Sequence, residues 1–450
     1  MEKETTGCTA GWSLVRHFRS RAATHKRAEA TPQATDRSSG AFMLSSMVAT
    51  TASKESMLAT AAATLISGCV LLAARGIIGS RTGAAKRIIA GDSELNEFMT
   101  GALQPMLDKY TPTWWTNGHI QCFLTFLVPQ SPVKYKRDVL TFKDGGQASL
   151  DWALETSVAM AKPLADDAPI AIIMHGLVGC SENMRSLCAE ALAHGYRPVV
   201  FNKRGHGGMK LSTPKLQAFG CVQDLEEAIA HVEKTFPDSE LYGIGCSAGA
   251  GLLCSYLCEL GDNSHLRAGV LISPGYNAFD LFCRGKINPV YNFLMTFTLK
   301  SFLLRHKNEL EDVVDVAGAL KATSISEFDR HVYMKMHGYE NLESYWKVNN
   351  PMRDIDNLTM PLLCINALDD PVCTKETIPY DEFHRKPKAM LLTTGEGSHC
   401  AFFEGNFQLK SWCNGAAMAY LDRLREFNGT RDSESVLEVG VDAPAAAATA

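Results

Sequence analysis

The chain has 450 residues, of which 46% are hydrophobic and 21% charged, so it can bury a large core in one or two domains. Its 44 Lys and Arg against 49 Asp and Glu leave a formal net charge of -5, which gives no electrostatic footprint for nucleic acid. Fourteen cysteines are scattered without a CxxC pair, so zinc ribbons and thioredoxin-like chemistry lack a signature; those in apolar runs, such as Cys188 and Cys364, read as reduced core residues.

Residues 1–55 are poor in large apolar side chains and rich in Ala, Thr, Ser and Arg, and are expected to be disordered. The stretch 56–75 carries no charge from Ser56 to Ala74 and has about the length of a membrane helix. It is expected to be a single-pass membrane anchor, with the endoplasmic reticulum or another organelle as its location. Lys54 precedes it and Arg75 and Arg81 follow, so charge leaves the orientation open. The Arg- and Ser-rich stretch before it also fits an organellar transit peptide, and a buried helix is the bland alternative. A folded domain is expected over 95–427, followed by a disordered tail over 428–450.

Within the domain, strand and helix signals alternate. "APIAIIMHG" is an apolar strand, and "SENMRSLCAEALAHG" is a helix with Ser181 as N-cap and Gly195 as stop. "YRPVVFN" is a strand, and "VQDLEEAIAHVEKTFP" an amphipathic helix with Val222, Leu225, Ile229 and Val232 on one side. "ELYGIGC" is a strand and "AGAGLLCSYLCEL" a helix; "LRAGVLIS", "PLLCINA" and "AMLLTT" are further buried strands. Apolar strands alternating with helices predict an α/β fold with a mostly parallel sheet covered on both faces. Sites in such sheets lie beyond the strand C-terminal ends.

Between the strand "ELYGIGC" and its helix stands Gly245-Cys246-Ser247-Ala248-Gly249, a G-x-S-x-G in strand–turn–helix context. Small flanking residues let a strained turn pass close to its neighbours. A serine nucleophile needs a base, and the base an orienting acid, here in the order Ser, acid, His. "INALDDP" places Asp369 and Asp370 just after one strand, and "GSHCAFFEG" places His399 after another. The candidate triad is therefore Ser247, His399 and one of the two aspartates, with Asp370 favoured because it directly precedes Pro371-Val372. The N–H of Ala248, at the helix start, and that of Leu177, after "MHG", are the expected oxyanion donors. His175 is expected to be structural.

These residues resemble one α/β-hydrolase subfamily, which holds the mammalian type II membrane abhydrolases and the yeast medium-chain fatty-acid ethyl ester synthase/esterases. The resemblance runs from about Pro105 to Leu424, through "NGHIQCFL", "DGGQASLDW", "HGLVGCSENMR", "NKRGHGGMKLSTPKL", "GCSAG", "INALDDP" and "GSHCAFFEG". It implies an α/β-hydrolase fold, with Ser247 as nucleophile, Asp370 as acid and His399 as base. It also implies a serine hydrolase of carboxylic esters, lipid or medium- to long-chain fatty-acyl, needing no metal or other cofactor. His206, Cys246 and Ala248 depart from the subfamily pattern and are expected to shape the pocket. Residues 276–350 form an insertion where a helical lid belongs; its apolar side chains, Phe293 to Leu303 among them, either line an acyl channel or pack the lid down. The expected partners are a small-molecule ester or lipid and a membrane, with oligomeric state unknown. Two other readings stay open: an acyltransferase on the same triad with an alcohol acceptor, and a non-catalytic interaction protein on a hydrolase fold.

Overall fold

Nine strands assemble into a single sheet in the computed structural model, which describes residues 86–113, 117–155, 163–405 and 409–441. The expected disordered segment 1–55 and membrane anchor 56–75 lie outside the described residues. In chain order the strands are β1 (Arg87–Ala90), β2 (Tyr135–Thr141), β3 (Gln147–Ala153), β4 (Ile170–Met174), β5 (Arg197–Asn202), β6 (Leu241–Cys246), β7 (Ala268–Ile272), β8 (Leu362–Ala367) and β9 (Ala389–Thr394). Their spatial order is β1-β9-β8-β7-β6-β4-β5-β3-β2. The six strands from β9 to β5 run parallel, and β1, β2 and β3 are antiparallel to their neighbours.

The helices that position the site are α1 (Glu94–Lys109), α2 (Gly118–Leu124), α3 (Arg185–Ala193), α4 (Gln223–Thr235), α5 (Ala248–Leu260), α6 (Pro289–Arg305), α7 (Ile325–His331), α8 (Leu342–Asn349) and α9 (Trp412–Val441). One core cluster joins α1, α3 and α9 to one face of the sheet; a second joins α4 and α5 to the other. Every residue of β4, β6, β7, β8 and β9 is consequently buried, which is why these strands read as unbroken apolar runs. The expected α/β-hydrolase architecture, a mostly parallel sheet with helices on both faces, is the one observed.

Three local expectations change. Ser181 does not cap α3: a turn of 3-10 helix over Ser181–Met184 precedes it, and the Ser181 hydroxyl donates to buried Asp151 at 2.5 Å. That carboxylate also pairs with Arg137 at 2.6 Å, so a buried charge has claimed the hydroxyl that local sequence assigns to a cap. The sheet begins at Arg87, ahead of the expected start near Leu95, because the short Ile88-Ile89 pair docks on β9. At the other end α9 continues to Val441, past the expected boundary at Phe427.

The insertion between β7 and β8 is helical and has its own apolar cluster, which includes Leu299, Phe302, Leu303, Phe328 and Trp346. On α6 the buried face is thus Leu299, Phe302 and Leu303, whereas Phe293 and Phe297 are 51% and 39% exposed. These two phenylalanines do not line an enclosed channel.

Candidate active site

The chain leaves β4 toward β5 on one side and returns to β6 on the other, so the crevice beyond β4 and β6 is a topological switch point. Ser247 sits there, between β6 and α5, with φ 55 and ψ -119. A positive φ is strained for a side chain with a Cβ, and the surroundings hold it in place. The Ser247 N–H donates to the Ile272 carbonyl at 2.9 Å, and the Gly251 N–H donates to the Ser247 carbonyl at 3.1 Å. The flanking glycines follow from sterics. A Cβ on Gly245 would lie 2.5 Å from Ala250 Cα, and one on Gly249 would collide with the backbone oxygens of Met174 and His175.

His399 comes from the loop after β9. Its Nε2 lies 2.7 Å from Ser247 Oγ, and its Nδ1 lies 2.8 Å from Asp370 Oδ2. Asp370 follows β8 and is 4% exposed. Its second oxygen accepts the N–H groups of Val372 at 2.7 Å and Cys373 at 2.9 Å. These bonds satisfy the buried carboxylate and fix the oxygen that faces the imidazole. The geometry brings Ser247, His399 and Asp370 together in one line of hydrogen bonds.

Asp369 points elsewhere. Its Oδ1 accepts the N–H groups of Gly397 at 2.9 Å and Ser398 at 2.8 Å, just before His399 in the chain. That loop carries three non-glycine residues at positive φ, Ser398, Cys400 and Phe402. The Cys400 N–H donates to Ser273 Oγ at 3.0 Å, and the Ser398 hydroxyl bonds the Gly118 carbonyl on α2. Burial, reinforced by the adjacent Asp370 charge, pushes the Asp369 carboxyl up to about 7, against the pull of its two N–H donors. Adjacent aspartates thus divide the work: one faces the imidazole and the other holds the imidazole's loop.

Asp370, Cys373 and His399 also bring three ligand-type atoms within 4.8 Å of one another. Burial raises the Cys373 thiol well above its usual range, and the other two groups already bond each other. The donor set therefore favours the hydrogen-bonded arrangement over a metal centre.

Leu177 and Ala248 both line a cavity beneath the lid. Neither backbone N–H donates a hydrogen bond among the described residues. The Leu177 loop runs close to the serine, since a Cβ on Gly176 would sit 3.6 Å from Ser247 Cβ. His206 lines the same cavity, and its Nε2 lies 3.3 Å from the Leu177 carbonyl. Burial lowers the His206 imidazole to about 3, so it stays neutral. His175 is buried, with Nδ1 at 2.8 Å from the Gly176 carbonyl, in keeping with a structural part.

Of the three positions expected to shape the pocket, His206 and Ala248 line the cavity and Cys246 does not. Cys246 packs instead into the core cluster with Cys188 and Cys413, because side chains alternate across a strand and its neighbour in β6 takes the other face. Sequence reasoning missed much of the cavity lining, including Lys203, Gln217 and Asp329, which come from separate segments. The one available signal was Lys203 itself, a charge immediately after the apolar β5.

A model of the alpha/beta hydrolase fold matches residues 169–406. Protein ABHD15 of Homo sapiens is 31% identical over 327 residues, covering 71% of this chain and 69% of its own length. Phospholipase ABHD3 of Homo sapiens is 30% identical over 347 residues, covering 75% and 82% respectively. Monoacylglycerol lipase ABHD2 of Homo sapiens is 29% identical over 345 residues, covering 70% and 79%. Extended similarity to these relatives, on a sheet of this order, means that the chain belongs to the α/β hydrolase fold family.

Proposed function

We propose that the protein is a serine hydrolase of carboxylic esters, acting on lipid or fatty-acyl esters through an acyl-enzyme on Ser247. The observation that carries this reading is His399, with Nε2 at 2.7 Å from Ser247 Oγ and Nδ1 at 2.8 Å from Asp370 Oδ2. Nε2 takes the hydroxyl proton as Oγ attacks the ester carbonyl, and Asp370 accepts the Nδ1–H bond and stabilises the imidazolium. The Leu177 and Ala248 N–H groups receive the oxyanion. Collapse expels the alcohol, which takes the proton from His399. Water then attacks the acyl-enzyme, with His399 as base again, and the acid leaves. The lipid preference draws support from relatives named phospholipase and monoacylglycerol lipase.

The test is hydrolysis of p-nitrophenyl esters of rising acyl length, with and without an added alcohol. The expected result is release of free acid, with kcat/KM rising beyond short acyl chains. An acyl–alcohol product outcompeting free acid in water would convert the reading to acyl transfer; no turnover of any ester would overturn it.

The uncharged stretch from Ser56 to Ala74 belongs to the same proposal, as a membrane anchor. No helix among the described residues is long and apolar enough to cross a membrane. The full chain is expected to stay with membranes through alkaline carbonate extraction, and a chain lacking residues 1–80 to be released. Release of the full chain by carbonate would remove the anchor from the account.

A further inference from the structure

The cavity beneath the lid is lined in part by polar groups that a hydrocarbon chain does not satisfy. Asp329 of α7 is 3% exposed, and its Oδ2 has no hydrogen-bond partner among the described residues. Gln217 donates its amide to the Cys221 carbonyl at 2.7 Å, yet its Oε1 is unpartnered. Lys203, which follows β5, also lines the cavity. Its side chain makes no ion pair and no hydrogen bond among the described residues. Its chain neighbour Arg204 differs: the guanidinium is clamped by Asp224 at 2.6 Å and by Asp144 at 2.9 Å. The fold thus supplies carboxylates to one of two adjacent cations and leaves the other facing the substrate space. An alkyl chain filling that space would desolvate an ammonium and two neutral polar groups without replacing their water.

We propose that Lys203 is a specificity-determining residue whose ammonium receives an anionic oxygen, carboxylate or phosphate, carried by the ester substrate itself. The inference rests on the ester-hydrolase reading of the same site. Elsewhere along the same cavity Gln217 Oε1 can accept a hydrogen bond from the ester, and burial favours the proton-bearing form of the Asp329 carboxyl, which can donate one. The acyl-enzyme chemistry is unchanged; the anion fixes how the ester lies against Leu177 and Ala248.

Burial lowers the Lys203 ammonium to about 8, so it carries its charge at pH 7 and loses it in mildly alkaline solution. The other titratable groups facing this region are His175 after β4, His206 on the Lys203 loop, His306 after α6, Asp329 on α7, and Tyr333 and Tyr345 of the lid. Burial holds all three histidines below their ordinary value, and the carboxyl and both phenols above theirs, which in each case favours the neutral form.

The experiment measures kcat/KM for paired esters on the full-length protein. One pair carries the charge on the acyl side: a p-nitrophenyl ester with a terminal carboxylate against its methyl-capped analogue. The other carries it on the alcohol side: a monoacylglycerol phosphate against the same monoacylglycerol. The expected result is a preference for the anionic member of at least one pair, on the order of 10- to 100-fold at pH 7. The pair that shows it tells carboxylate from phosphate. The preference is expected to decline as pH rises through about 8, to vanish in Lys203→Met and to persist in Lys203→Arg. Because the ratio is taken within one protein, a general loss of activity does not mimic the effect. A wild type that cleaves neutral esters without favouring either anion overturns this inference and leaves the hydrolase reading standing. A preference that survives in Lys203→Met overturns it as well. A wild type that cleaves no ester at all overturns both.

Discussion

Asp370→Asn is expected to lower kcat about 10⁴-fold, whereas Asp369→Asn is expected to lower it by less than about tenfold. The asymmetry follows from which imidazole atom each carboxylate governs. Asp370 Oδ2 accepts from His399 Nδ1 at 2.8 Å, which directs the free lone pair of Nε2 at the serine. An amide there can present its NH2 to Nδ1 and stabilise the wrong tautomer. Asp369 Oδ1 accepts the backbone N–H groups of Gly397 and Ser398, and an asparagine carbonyl accepts both. A second readout separates the two positions. The Asp369 carboxyl sits near 7, raised by burial, so the folded state favours its neutral form. The stability this contributes is complete below about pH 4 and is lost as pH rises through 7. Asp369→Asn is uncharged throughout, so its Tm is expected to exceed the wild type's at pH 8 and to match it near pH 4. An Asp369→Asn enzyme as inactive as Asp370→Asn would reassign the acid.

Ser247→Ala is expected to reduce kcat on the order of 10⁶-fold, since the nucleophile acts as a unit with its base. Alanine keeps a Cβ, so the strain of φ 55 is unchanged and the elbow retains its hydrogen bond to the Ile272 carbonyl. Circular dichroism and Tm should therefore match the wild type. Residual activity would come from the Leu177 and Ala248 donors, which the substitution leaves in place. Loss of activity together with loss of folding would not support the nucleophile; loss of activity alone would.

The parallel strands from β4 to β9 were legible because a sheet covered on both faces demands unbroken apolar runs. The arrangement of Ser247, Asp370 and His399 was legible because each follows such a run, in the order that this kind of sheet brings to one edge. Other features were hidden for physical reasons. β2 is an edge strand whose "YKRDVLT" mixes charge with partial burial, and β1 is four residues long. The Asp369 contact spans 28 residues to Gly397, and nothing local to "ALDD" encodes it. The polar lining of the cavity escaped because Lys203, Gln217 and Asp329 come from separate segments that only the tertiary fold brings to one cavity. Cys246 drew attention through its place beside the serine, but strand alternation sends it into the core. Local pattern thus located three side chains that the fold brings together, and tertiary packing set what surrounds them.

The most direct test of the account is covalent labelling of the native protein with a fluorophosphonate, followed by peptide mass mapping. The phosphonyl group should be found on Ser247 alone, within the peptide that carries "GCSAG", and Ser247→Ala should take up none. A label on another residue, or a wild type that stays unlabelled while folded, would contradict the claim that His399 activates Ser247.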